Sequence, residues 1–272
     1  MKLTFSLLAI FGFSSICQAA TPPEWSRPFP PHRIAPNIYY VGTEDLACYL
    51  ITDAAAGHIL INTGLADSVP LINASIEKLG FRVKDIRILL TNQAHYDHVA
   101  AFAEFRRLSG AKVFATPGDA PLLESGGAAD PGDLPRFVPV HVDRVLKDGE
   151  VVRLGKVALT VRSTPGHTPG SVSYETTVDQ DGRSLNFLFA NIATVVMPLV
   201  NPKYPGIVAD FESTFTRQHA MKPDIWVAGH ASQFHMQEKF KAKNFVDPQG
   251  FASAVAASEK AFRERVQKEL PK

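Results

Sequence analysis

Leu89-Leu90-Thr91-Asn92-Gln93-Ala94-His95-Tyr96-Asp97-His98 is the stretch on which the reading of this chain turns. It belongs to a continuous apolar run, residues 86–91, of the kind that forms a strand covered on both faces. The run then releases Gln93, His95, Asp97 and His98, four metal-competent side chains within six positions. Residues two apart in an extended turn project the same way, so Gln93 and His95 can share one cation while the adjacent Asp97 and His98 diverge toward another. Imidazole nitrogen and carboxylate oxygen are suitable zinc donors, and an amide oxygen is a weaker one. Taken alone, Asp97 reads more readily as an N-cap for the helical pattern behind it than as a ligand.

Recurrence separates the two readings. Thr164-Pro165-Gly166-His167 follows a strand pattern over residues 151–161, and Ala228-Gly229-His230 follows another at Ile225–Ala228. Three strands each end in histidine, and strand ends on one sheet edge converge on a common crevice. The remaining histidines, His32, His58, His141, His219 and His235, lack this placement and read as surface or loop residues. His235 lies five positions after His230 and is the one with a route to the site.

Outward from that stretch, β-type runs cover 38–41, 47–52 and 59–62. Val69, Ile72, Ile76 and Leu79 recur at helical spacing up to Gly80, and a second helix pattern spans 98–108 before a strand at Lys112–Ala115. Residues 124–136 carry Gly126, Gly127, Pro131, Gly132 and Pro135 and read as a surface connection between two halves. Strands are expected at 151–161, 172–177, 185–190 and Ile225–Ala228, with helices at 211–220 and 249–269. Each half runs strands first and helix later, which predicts two packed sheets with helices outside.

The 272 residues are 45% hydrophobic and 20% charged, enough for a sizeable core and inconsistent with disordered or low-complexity classes. Lysine plus arginine at 28 against Asp plus Glu at 27 gives a net charge of +1, which provides no field for nucleic acid. Lys2, the mostly apolar residues 3–16 and Cys17-Gln18-Ala19 read as a signal peptide cleaved after Ala19 or Ala20. The expected organisation is a signal over 1–20 and one domain over 21–272, exported to the periplasm, with no membrane association after cleavage and monomeric by default. The apolar run is shorter than the ~20 residues of a spanning helix. Cleavage leaves Cys48 without a partner inside the apolar stretch 46–51, so it reads as buried filler rather than as a thiolate or a metal ligand.

These residues resemble the metallo-β-lactamase superfamily, whose signature is a His-x-His-x-Asp-His loop followed by two isolated histidines. Asp97, His98 and His230, with no cysteine among the ligands, are similar to subclass three of the class B β-lactamases. Gln93 in the first ligand position resembles the GOB type, as do the strings at 37–42, 61–68 and 230–234. The resemblance implies an α/β fold, the αβ/βα four-layer sandwich, with Gln93, His95 and His167 as one zinc site and Asp97, His98 and His230 as the other. It further implies hydrolysis of penicillins, cephalosporins or carbapenems by metal-bound hydroxide oriented by Asp97, hence antibiotic resistance. Thr194 stands where relatives have a serine that holds the substrate carboxylate, and Tyr96 would line the pocket.

Two departures carry expectations of their own. A neutral amide at Gln93 weakens the first site, so one zinc at Asp97, His98 and His230 is expected to be the stronger and to suffice. Asn62-Thr63-Gly64 replaces the usual Asp-Thr-Gly and reads as structural. The rival within the fold is a glyoxalase II-like thioesterase or a lactonase, which place a metal-bridging aspartate where Ala190-Asn191 stands here. Ser75-Ile76-Glu77-Lys78 matches the S-x-x-K of serine β-lactamases but lies within the helical pattern, and neither S-D-N nor K-T-G occurs. A closed structural zinc site would use four protein ligands, whereas each set here offers three.

Overall fold

The computed structural model describes residues 21–270; the signal segment read over 1–20 lies outside the described residues. One sheet contains, in spatial order, β1 (His32–Ala35), β2 (Ile38–Tyr40), β3 (Tyr49–Asp53), β4 (Gly57–Ile61), β5 (Ile86–Leu90), β6 (Lys112–Ala115) and β7 (Arg144–Val145). A second holds β8 (Val151–Leu154), β9 (Val157–Ser163), β10 (Val172–Gln180), β11 (Arg183–Ala190) and β12 (Ile225–Ala228). The helices are α1 (Val69–Lys78), α2 (Tyr96–Val99), α3 (Phe102–Ser109), α4 (Ala120–Glu124), α5 (Ile207–Ala220), α6 (Met236–Ala242) and α7 (Pro248–Glu269).

Side-chain alternation explains why the sheets stack. Tyr49, Ile51, Ile59, Ile61, Ile88 and Leu90 enter the core shared by the sheets, while Leu50, Leu60 and Leu89 enter a second core with Ile72 and Ile76 of α1 and Phe102 and Phe105 of α3. The central strands are thus apolar on both faces. From the other side, Tyr174, Phe187, Phe189 and Trp226 fill the inter-sheet core, joined by Phe211 and Phe215 of α5 and Phe251 and Phe262 of α7. Each such side chain, fully buried, contributes about 1.5–3 kcal/mol. Cys48 is free, buried in the α1/α3 core, and its thiol is pushed up by burial.

Parallel neighbours require crossover connections, which α1, α3 and α5 supply between β4 and β5, β5 and β6, and β11 and β12. Each crossover returns the chain so that a strand again points its carboxyl end at the same rim.

Several expected elements differ in the structure. The helix expected over 98–108 divides into α2 and α3, because the His98 carbonyl accepts from the Thr63 peptide N–H at 2.8 Å and leaves the helical ladder. The strand expected over 151–161 is a hairpin of β8 and β9, turning at Gly155 with φ +57°. The proline-rich lead contains β1, and α4 runs into the connection read over 124–136. Nor are all the remaining histidines at the surface. His58 is buried against Phe81, and the His32 ring packs among Phe29, Tyr40, Phe240 and Phe245. Burial lowers the pKa of both.

Candidate metal centre

Three strand ends deliver the expected side chains to one place. The turn after β5 carries His95, Asp97 and His98, the loop after β9 carries His167, and the turn after β12 carries His230. Asp97, His98 and His230 form one cluster, their donor atoms all within 4.8 Å of one another. Asp97 Oδ2 lies 3.2 Å from His98 Nε2 and 3.4 Å from His230 Nε2. The second cluster pairs His95 Nδ1 with His167 Nε2 at 3.1 Å. Gln93 is buried on the same turn, with its amide oxygen accepting from the His95 peptide N–H at 3.2 Å.

The local backbone explains this delivery. Asn62, at φ +62°, accepts from the Thr91 hydroxyl (2.9 Å) and the Asn92 peptide N–H (3.2 Å), bending the chain as β5 ends. Asn92 in turn donates to the Val172 carbonyl at 3.0 Å, and Tyr174 donates to the Thr91 carbonyl at 3.0 Å. The ligand turn is therefore stitched to the opposite sheet. Tyr49 likewise donates to the Ala228 carbonyl at 2.6 Å, holding the start of the His230 turn.

Two of the imidazoles, His230 and His167, have a hydrogen-bond partner on the far side. His230 Nδ1 meets Asp45 Oδ2 at 2.8 Å, and His167 Nδ1 lies 2.8 Å from the Thr194 carbonyl and 3.0 Å from its hydroxyl. His95 Nε2 is 3.7 Å from Asp130 Oδ2, too far for a hydrogen bond. Asp45 and Asp130 sit on loops that the sequence pattern gave no reason to choose. A carboxylate behind a histidine is a common device for fixing a metal-binding imidazole, but no sequence spacing announces it.

The electrostatics of the clusters differ. Burial alone would raise Asp97, but the His98 and His230 imidazoles hold its carboxyl well below the usual range. Burial pulls His230 down, yet Asp45 and Asp97 outweigh it and push the imidazole up to about 9. Burial also works on Asp45, and there His230 and Ser232 prevail, lowering it to about 2. In the other cluster burial dominates, taking His167 down to about 4 and His95 well below its ordinary value. One cluster is built around negative charge, and the other is neutral imidazole.

The donor set fits a divalent cation. His98 Nε2, which faces Asp97 within the cluster, is buried without a hydrogen-bond partner among the described residues, a costly state for a polar atom that a metal would relieve. Tyr96 borders the cluster, and the Trp25 ring, on a short 3-10 turn near the N-terminal end of the described chain, lies 5.6 Å from His230 and 6.2 Å from Tyr96. Trp25 escaped the sequence reading because a lone tryptophan in a proline-rich lead carries no spacing signal. His235 is exposed, at φ +54° where the turn after β12 meets α6.

Asn191, at the end of β11, is buried and committed elsewhere. Its side-chain amide donates to the Thr164 carbonyl at 3.2 Å, and its own carbonyl accepts from Gln218 at 2.6 Å.

Known proteins share this fold. The family model described as the metallo-beta-lactamase superfamily matches residues 42–181. The metallo-beta-lactamase GOB-18 from Elizabethkingia meningoseptica is 38% identical, with a TM-score of 0.88 over 97% of this chain and 100% of that one. The class B3 di-zinc metallo-beta-lactamase LRA-12, from an Alaskan soil metagenome, is 40% identical with a TM-score of 0.87, covering 91% and 98%. Among curated sequences, a hydroxyacylglutathione hydrolase of Rhodopseudomonas palustris is 34% identical over 137 residues, 50% of this chain and 44% of that protein. The chain spans about half the length of the curated relatives it matches. The two stacked sheets, the histidines at their rim and whole-length likeness to subclass B3 structures agree: the chain belongs to the metallo-beta-lactamase superfamily.

Proposed function

We propose that this protein is a zinc-dependent β-lactamase of subclass B3, opening the lactam amide of penicillins, cephalosporins or carbapenems. The observation that carries the reading is the cluster of buried Asp97 and His98 with half-buried His230 beside the His95–His167 pair, with an asparagine at position 191. Asp97, His98 and His230 would hold one ion, and His95 and His167 with Gln93 the other. Zinc, when bound, supplies a Lewis acid and brings the pKa of its water to about 7.

The chain's own residues perform the rest. Asp97 stays ionised and accepts hydrogen bonds through the neutral range, as orientation of an attacking oxygen requires. Asp45 holds the His230 ring, and the Thr194 carbonyl holds the His167 ring. Because the Thr194 hydroxyl also lies on His167 Nδ1, any contact with a substrate carboxylate is in competition with that partner. Tyr96 and Trp25 furnish an aromatic wall for the body of a bicyclic substrate. The same reading carries a signal peptide over 1–20, a periplasmic location, a monomeric state and a role in antibiotic resistance; N-terminal sequencing of protein recovered from periplasm tests the first two.

The curated sequence likeness favours a second reading, thioester hydrolysis of the hydroxyacylglutathione kind. Against it stands Asn191, a neutral side chain turned to Thr164 where that reading needs a carboxylate. Metal-replete protein should hydrolyse a chromogenic cephalosporin and a carbapenem, lose both activities on chelation, and leave a hydroxyacylglutathione thioester almost untouched. Thioester hydrolysis without lactam hydrolysis would reverse the choice.

A further inference from the structure

Asp119, at the head of α4, is 2% exposed and belongs to neither ligand cluster. Its Oδ1 accepts from the Gly170 peptide N–H at 3.0 Å, and its Oδ2 has no hydrogen-bond partner among the described residues. Beside it, the Thr116 hydroxyl donates to the Gly170 carbonyl at 2.5 Å. The two segments touch backbone to backbone. A Cβ on Gly118 would stand 2.4 Å from the Pro169 carbonyl carbon, and one on Gly170 would stand 2.1 Å from the Asp119 nitrogen. The Ala94 peptide N–H, between Gln93 and His95, faces the same carboxyl, as does the Thr168 hydroxyl, although neither closes a hydrogen bond of ordinary alignment. Burial pushes this acid up to about 7, offset only in part by those donors.

We propose that Asp119 is a positioning residue for the His95–His167 cluster, locking the Ala94 and Thr168–Gly170 backbones in one frame and so fixing how the two imidazoles meet. The inference rests on the reading that His95 and His167 share a zinc ion. A cluster whose third donor is a neutral amide holds its ion less by charge than by geometry, so its retention depends on the frame behind it. The other cluster, with Asp97 and Asp45, has charge to spare and no such dependence. A competing tie exists in the Val172 N–H to Asn92 carbonyl bond at 2.8 Å, which could hold the same loops without Asp119.

Zinc affinities of the wild-type chain, Asp119→Ala and Asp119→Asn, measured by competition with a chromophoric chelator, separate these accounts. Asp119→Ala should bind its weaker ion roughly 10- to 100-fold less tightly and keep the stronger within about two-fold. Asp119→Asn should behave as wild type, since its amide oxygen still accepts from Gly170. In metal-free protein, Asp119→Ala should speed amide hydrogen exchange across residues 92–99 and 164–171 and leave 225–235 unchanged. Asp119→Ser, which shortens the side chain but keeps a polar atom, takes the place of alanine if that variant does not fold. Unchanged affinities and exchange in the alanine variant, or equal loss of both ions, would overturn the proposal. Failure of wild-type protein to bind zinc would instead count against the reading of the site, while the metal-free exchange measurement still decides whether Asp119 frames these loops.

Discussion

The two ligand clusters lie side by side at one rim, yet they are built on different principles. Asp97, His98 and His230 surround a carboxylate, with a second carboxylate, Asp45, behind His230. His95 and His167 meet as neutral imidazoles, and Gln93 adds a neutral amide. On the proposed reading, the difference contrasts two sources of affinity for a dication, local charge in one cluster and rigid geometry in the other.

The sharpest way to break that contrast is Asp97→Asn, which preserves size and removes charge. Hydrolysis of a chromogenic cephalosporin should fall by roughly 10³-fold or more, and the tighter zinc should be lost. Retained activity would mean that charge is not what the cluster supplies. Gln93→His converts the neutral amide to imidazole and should tighten the weaker ion about 10- to 100-fold, narrowing the gap between the clusters; calorimetric zinc titration would show it. Unchanged binding would place Gln93 outside the coordination sphere. Asp45→Asn should weaken the tighter ion by about ten-fold and leave the other unmoved, a comparison accessible by the same titration.

A smaller effect is expected in metal-free protein. His167 is held down to about 4, so between pH 6.5 and 4 the unfolded chain takes up its proton before the folded one, and acid costs the fold about 1–3 kcal/mol. His230 has the opposite sign. Its pKa of about 9 makes its contribution complete below 6.5, and that contribution fades as pH rises through 9. Urea unfolding should therefore show His167→Gln gaining relative stability as pH falls to 4, and His230→Gln gaining it as pH rises past 9. Identical pH profiles for the two variants would remove the electrostatic distinction.

Much of this was legible in the letters, for identifiable reasons. The strand–turn–histidine pattern at 86–98, 157–167 and 225–230 is local, and β5 and β12 in parallel pairs, with β9 in antiparallel ones, carry those turns to one rim. The continuous apolar run at β5 reported correctly on burial from both faces. What failed to show was whatever depends on contacts far apart in sequence. Thr63 breaks a helix by taking the His98 carbonyl from 35 positions away, and Asp45 finds His230 across 185. Asp119 and Trp25 sit in segments whose composition marks only turns. A duplicated strand-and-helix plan was visible, but the short β1, α4 and α6 lack the length that makes periodicity readable.

Anomalous diffraction at the zinc absorption edge, on crystals of zinc-replete protein, tests most directly whether distant strand ends build one metal centre. The expected result is a strong peak bounded by Asp97 Oδ2, His98 Nε2 and His230 Nε2, with a weaker one at His95 and His167. Zinc bound elsewhere on the surface, with these five side chains free of it, would contradict the account.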